Sequence, residues 1–189
     1  MTQAVTNSSS YENLLAVDSL ADEFENWYRK LSDINHAAPR AISGIDPDGK
    51  QFILILKDIP WTGVEHVQRR NFIYWLLQKE NILAYVYGSL MQDQNSQKCI
   101  HIIADDGDNI VHKLMPIIIK DNKEDYDTAT VHRAKHYERE WHPFTNLMAP
   151  DSIDISGLNQ NDLEFFDTVW KDMRPKCLWR DRKIISSFD

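Results

Sequence analysis

Residues 98–114, "KCIHIIADDGDNIVHKL", decide how the middle of the chain is built. An apolar run, a cluster of Asp and Gly, and a second apolar run are the marks of two antiparallel strands joined by a tight turn. The run before it, Leu83 to Gln92, is separated from Lys98 by the polar "DQNSQ", and the strand after the turn continues to Ile119. Three consecutive strands in a meander follow: 83–92, 98–104 and 109–119.

Register then places side chains. If Ala104 opposes Asn109, His101 lies directly opposite His112. If Gln92 opposes Lys98, Ser89 lies opposite His101. Because strand side chains alternate between faces, Tyr87, Ser89, His101 and His112 share one side. The other side carries Val86, Ile100, Ile102, Val111 and Met115 and is the more continuously apolar, so the helices are expected against it. The histidine side is then a half-polar open face, suited to a ligand or a protein partner. "DDGDN" lacks the alternating ligands and closing Glu of a calcium loop, so it reads as a hairpin turn.

Outward from this meander, "RAISGIDPDGKQFILIL" (40–56) reads as another hairpin, with Pro47, Asp48 and Gly49 in the turn. Its "GIDPDGKQ" resembles a phosphate loop, but Gln51 replaces the hydroxyl that would hold Mg²⁺, and a strand follows where a helix N-terminus is needed. Helices are expected on three stretches. The first opens at "SSSYE" with Ser9 and Glu12 as a capping box, and its apolar positions from Leu14 to Ile34 recur every three or four residues. The second opens at Thr62 and Glu65, with Arg69 and Arg70 facing outward. The third is capped by Asn159, with Asp162 at the third position, Leu158 and Leu163 as a hydrophobic staple, and Pro175 as its end. The fold class is therefore α+β, a mostly antiparallel sheet of about five strands with helices packed on one face, in a single domain over residues 1–189.

The flanks of that domain are a flexible start over 1–10 and a basic C-terminal tail over 174–189. Residues 174–183, "RPKCLWRDRK", hold five basic groups and one acid, so on a chain of net charge −8 the remainder carries −12. An acidic body makes nucleic acid an unlikely partner, and the tail is expected to dock on the acidic first helix of its own chain or of a second copy. The start has neither basic residues nor an apolar core of a leader, no apolar run approaches a membrane span, and Cys99 and Cys177 suit a reducing, cytoplasmic setting. Arg174, Lys176 and Arg180 around Cys177 would favour its thiolate, but a structural or incidental thiol is the expected role.

A second histidine group lies at 132–142. His132, His136 and Glu140 would share one face of a helix over about 130–141, with His142 nearby, a spacing that a divalent metal can use. Arg133 stands where the usual zinc motif has Glu, so no cofactor is expected and a metal is only the alternative. No complete catalytic motif is present. The leading function is a noncatalytic binding or regulatory protein working through protein–protein contacts, including self-association. The alternative is a metal-assisted hydrolase using a histidine cluster.

Overall fold

A computed structural model describes residues 8–33, 38–56, 59–92, 96–121, 123–135 and 155–181. Its elements are α1 (Ser8–Asp33), β1 (Ala41–Ile45), β2 (Lys50–Ile55), α2 (Glu65–Lys79), β3 (Ala84–Gln92), β4 (Lys98–Asp105), β5 (Asn109–Lys120), β6 (Lys123–Tyr126), β7 (Thr130–Lys135), α3 (Gln160–Met173), a 3₁₀ turn (Arg174–Lys176) and β8 (Leu178–Asp181). The class is α+β. The sheet has eight strands, not five, in the order β6-β5-β4-β3-β1-β2-β8, with β7 also on β5, and every pairing is antiparallel. The three extra strands are short and hold few of the alternating apolar residues by which strands are found.

The helices cover both faces of the sheet, which corrects the one-sided arrangement. On one face, Val17, Leu20, Ala21, Phe24 and Tyr28 of α1 pack over Val86, Ile100, Ile102, Ala104, Val111 and Met115. On the other, Phe72, Trp75 and Leu76 of α2 and Phe166, Val169 and Trp170 of α3 pack over Ile42, Phe52, Leu54, Tyr85 and Tyr87. The physical reason is composition: Tyr85, Tyr87, Ile103 and Ile110 make the histidine side nearly as apolar as its reverse, and two greasy faces need two covers.

Turns and caps fix these elements locally. Asp46 Oδ1 accepts the N–H groups of Asp48 and Lys50 at 3.0 and 2.8 Å, and Gly49 sits at φ 72°, so the phosphate-loop lookalike is a hairpin corner. In "DDGDN", Asp106 Oδ1 accepts from Asp108 and Asn109, and Gly107 takes φ 94°. Asn159 Oδ1 accepts the Asp162 N–H at 2.9 Å, as the α3 signature implied. The start of α2 differs from expectation. Val64 is the N-cap with no side-chain bond, and Gln68 instead reaches back, its Oε1 accepting from the N–H groups of Thr62 and Gly63. Arg69 is buried and bonded to Glu65 at 2.5 Å rather than facing outward, while Arg70 is exposed.

Residues 1–7 lie outside the described residues, and α1 begins at Ser8. Of the basic tail, residues 174–181 are described, and they reach the acidic first helix through Arg180, although their main contact is with β2. Strand β8 pairs with β2, Arg180 forms an ion pair with Glu23 of α1, and its Nε donates to Gln51 Oε1 at 2.9 Å.

Candidate functional site: a file of histidines across the sheet

Strand register determines which polar side chains meet. The β3–β4 pairing is the expected one, with Ser89 opposite His101. The β4–β5 hairpin is shifted by two residues, so His101 opposes Leu114 and His112 opposes Ile103. The four-residue turn keeps its length but moves one residue along the chain, from 105–108 to 106–109, where Asp106 Oδ1 accepts the N–H groups of Asp108 and Asn109 and Asp105 pairs with Ile110. A shift of two keeps every residue on its own face, so the histidines remain neighbours on a diagonal. His101 Nε2 and His112 Nδ1 are 3.2 Å apart, and the rings are nearly parallel, 15° between planes, with centroids 5.4 Å apart.

Of the segment expected as a helix over 130–141, the described part, Thr130–Lys135, is a strand, so His132 does not lie on a helical face. Pairing with β5 decides the matter: β-branched Thr130 and Val131 fit a pleated edge, and Arg133 reaches Asp18 of α1. His132 lies directly opposite His112. The two histidine groups, separate in sequence, therefore join in one file: Ser89, His101, His112, His132 across β3, β4, β5 and β7. His136, Glu140 and His142 lie outside the described residues. Alternation of Thr130, His132 and Ala134 against Val131 and Arg133 was the signal in the sequence that could have revealed the strand.

The file runs from inside to outside. Ser89 and Tyr87 are buried, His101 is 1% exposed, His112 is half-buried, and His132 is exposed. The expectation of an open half-polar surface is corrected at its inner half, where both faces of the sheet are covered. Chemically, the His101–His112 contact requires one nitrogen to carry hydrogen and the other a lone pair. The pair thus shares a proton between two strands, and a further proton on the contact would set two N–H groups against each other. Asp105 is on the same face and buried, and its Oδ1 accepts the Gly107 N–H at 2.8 Å. Among the described residues, no group of three His, Cys, Asp or Glu is arranged to hold a metal ion.

Cys99 is buried in β4, and burial pushes the Cys177 thiol up to about 11, with Glu80 adding to the rise and Arg174 opposing it only in part. Burial thus outweighs Arg174, the tail cation that favours the thiolate. Arg174 is near Glu80 at 3.4 Å, Lys176 meets Asp172 at 2.6 Å, and Arg180 meets Glu23. Among the described residues, no helix is long and apolar enough to cross a membrane.

Comparison of the chain with protein-family models, with curated proteins and with solved structures finds no match.

Proposed function

We propose that this is a noncatalytic binding or regulatory protein that acts through protein–protein contacts, and that the β8 edge of the sheet is a contact face. The observation that carries the reading is apolar exposure beside the last strand. Among the described residues β8 ends the sheet, Leu178 on it is 73% exposed, and Ile55 on the adjoining β2 is 43% exposed on the same face. Natural sheets blunt their edges with charge or proline, because unpaired N–H and C=O groups invite another strand. Of the four residues of β8, Arg180 and Asp181 are charged, but Arg180 is paired with Glu23, and the exposed Leu178 suits strand addition, in which main-chain bonds give affinity and alternate side chains give specificity. The acidic face of α1 is a weaker alternative, because Asp18, Asp22, Glu23 and Glu25 all pair with cations of the same chain. Either a second copy or another protein fits the edge. Capture experiments with the wild type and with an Ile55→Lys/Leu178→Lys variant provide the test. A partner held by the wild type and lost by a folded variant supports the reading, and identical partner sets overturn it.

A second reading, metal-assisted hydrolysis at the histidine file, is favoured by one observation: His112 and His132 are directly paired across two strands. Opposed strand residues bring their Cβ atoms to about 5 Å, within reach of one divalent ion. Zinc titration of untagged protein tests it. Loss of binding in His132→Ala supports the reading, and no binding by the wild type removes it.

A further inference from the structure

The described surface has a second feature that neither reading uses. A cleft of about 700 Å³ lies between the C-terminal ends of α2 and α3 and is closed at one side by β8. Its apolar lining is Trp170, Pro175 and Trp179, and its charged lining is Lys79, Lys171 and Arg174 against Glu80 and Asp167. The lining thus has one net positive charge on a chain of net charge −8, a local reversal of sign that draws anions to this place.

The two carboxylates differ from the three cations in how firmly they are held. Glu80 accepts the Trp170 indole N–H at 2.6 Å and is largely covered. Asp167 is shared by Lys79 at 3.1 Å and Lys171 at 3.2 Å. The cations remain open to solvent: the Lys171 side chain is 77% exposed and that of Arg174 is 54% exposed. The Arg174 guanidinium lies over the Trp179 ring, 4.9 Å from its centroid, and its two contacts with Glu80 are long, at 3.4 Å each. The ring thus holds the guanidinium in place by a cation–π contact while its hydrogen bonds to Glu80 are long. That is the condition in which an arginine takes a phosphate through two parallel hydrogen bonds.

We propose that this cleft binds a small phosphomonoester carried on a planar ring, the phosphate held by Arg174, Lys171 and Lys79 and the ring resting against Pro175 and Trp179, with Trp170 buried beneath. Three cations suit a dianion better than a single carboxylate, and the volume is that of a site for a molecule of nucleotide size. Adenosine monophosphate is the probe, with adenosine and inorganic phosphate as its two halves, and tryptophan fluorescence and calorimetry as the readouts. The expected result is saturable binding of the monophosphate, with each half binding at least about tenfold more weakly. Arg174→Gln and Lys171→Gln should each raise Kd about tenfold, whereas Lys98→Gln, remote in β4, should leave it unchanged. Lys171 is an exposed residue paired only with Asp167 in the cleft, so its variant remains informative if Arg174→Gln disturbs the fold. Absence of binding by the wild type, equal binding of inorganic phosphate alone, or equal loss in Lys98→Gln would each overturn the proposal.

Discussion

Gly88 shows how much a single position can carry. A Cβ added there would come within 2.6 Å of Tyr28 Cε2 and 2.9 Å of Cζ. That ring cannot withdraw: Tyr28 is fully buried in α1 and its hydroxyl donates to the Pro39 carbonyl at 2.7 Å. Gly88→Ala should therefore cost about 1–3 kcal/mol through overpacking, measured as a lower denaturation midpoint. An unchanged midpoint would show that α1 can shift away from the sheet. Lys113 is the second such residue. It is buried on the α1 side of β5 and bonded to Asp22 and, at 2.7 Å, to Glu25. Burial alone would push the Glu25 carboxyl up, but hydrogen bonds from Lys113 and Arg29 outweigh it and hold it below its ordinary 4.5. Burial likewise opposes the Lys113 charge, and the bonds to Asp22 and Glu25 overcome it, so its ammonium is held above 10.5. A lowered carboxyl stabilises the fold above its unfolded value and loses that contribution as pH falls through the folded one. A raised ammonium stabilises below its unfolded value and loses its contribution as pH climbs past the folded one. The cluster is thus at full strength between about 4.5 and 10.5. Lys113→Met should flatten the acid side of the profile of Tm against pH, and a variant whose acid limb matches the wild type would refute the linkage.

At the scale of elements, what could be read in the chain depended on whether the deciding contact was local. The α3 helix was legible because Asn159, Asp162 and Leu158 lie within one turn of its start. Asn159→Ala should cost about 1 kcal/mol, read by urea unfolding, with a smaller loss if the Asn159 backbone alone suffices. The β3–β4 register was legible from alternation and a polar connection. The β4–β5 register was displaced by two because the turn, unchanged in length, sits one residue further along, and of the adjacent Asp105 and Asp106 it is Asp106 that accepts the turn N–H groups of Asp108 and Asn109. Strand β7 was not legible as a strand. The four-residue spacing of His132, His136 and Glu140 reads as helical and hides the brief alternation of Thr130, His132 and Ala134, while the contacts that favour extension, with β5 and between Arg133 and Asp18, are distant in sequence. The N-cap of α2 lies two residues beyond the expected Thr62, at Val64, because Gln68, inside the helix, does the work assigned to a cap.

For the molecule as a whole, the sequence indicated two layers of secondary structure but concealed the third, since an apolar strand does not say which of its faces a helix will take. The histidine file was legible in part: His101 and His112 were placed side by side, but their burial depended on covers that strand alternation does not describe. Helix α1 gives this scale its own test. It ties β7 through Asp18–Arg133 and β8 through Glu23–Arg180, on opposite flanks of the sheet. An Asp18→Asn/Glu23→Gln variant should lose about 1 kcal/mol at most in global stability, since both pairs are partly exposed. Yet its amide exchange should rise in β7 and β8 together. A rise confined to one of the two strands would show that the helix braces them separately.

The bond from Arg180 to Glu23 closes a span of 157 residues. During synthesis, the segment that becomes α1 emerges long before the strand that completes its set of partners, and contacts so distant in sequence form slowly. Until Leu178–Asp181 leaves the ribosome, β2 has no neighbour on its outer side, so the nascent chain passes through an interval in which its sheet is unfinished and most prone to clumping.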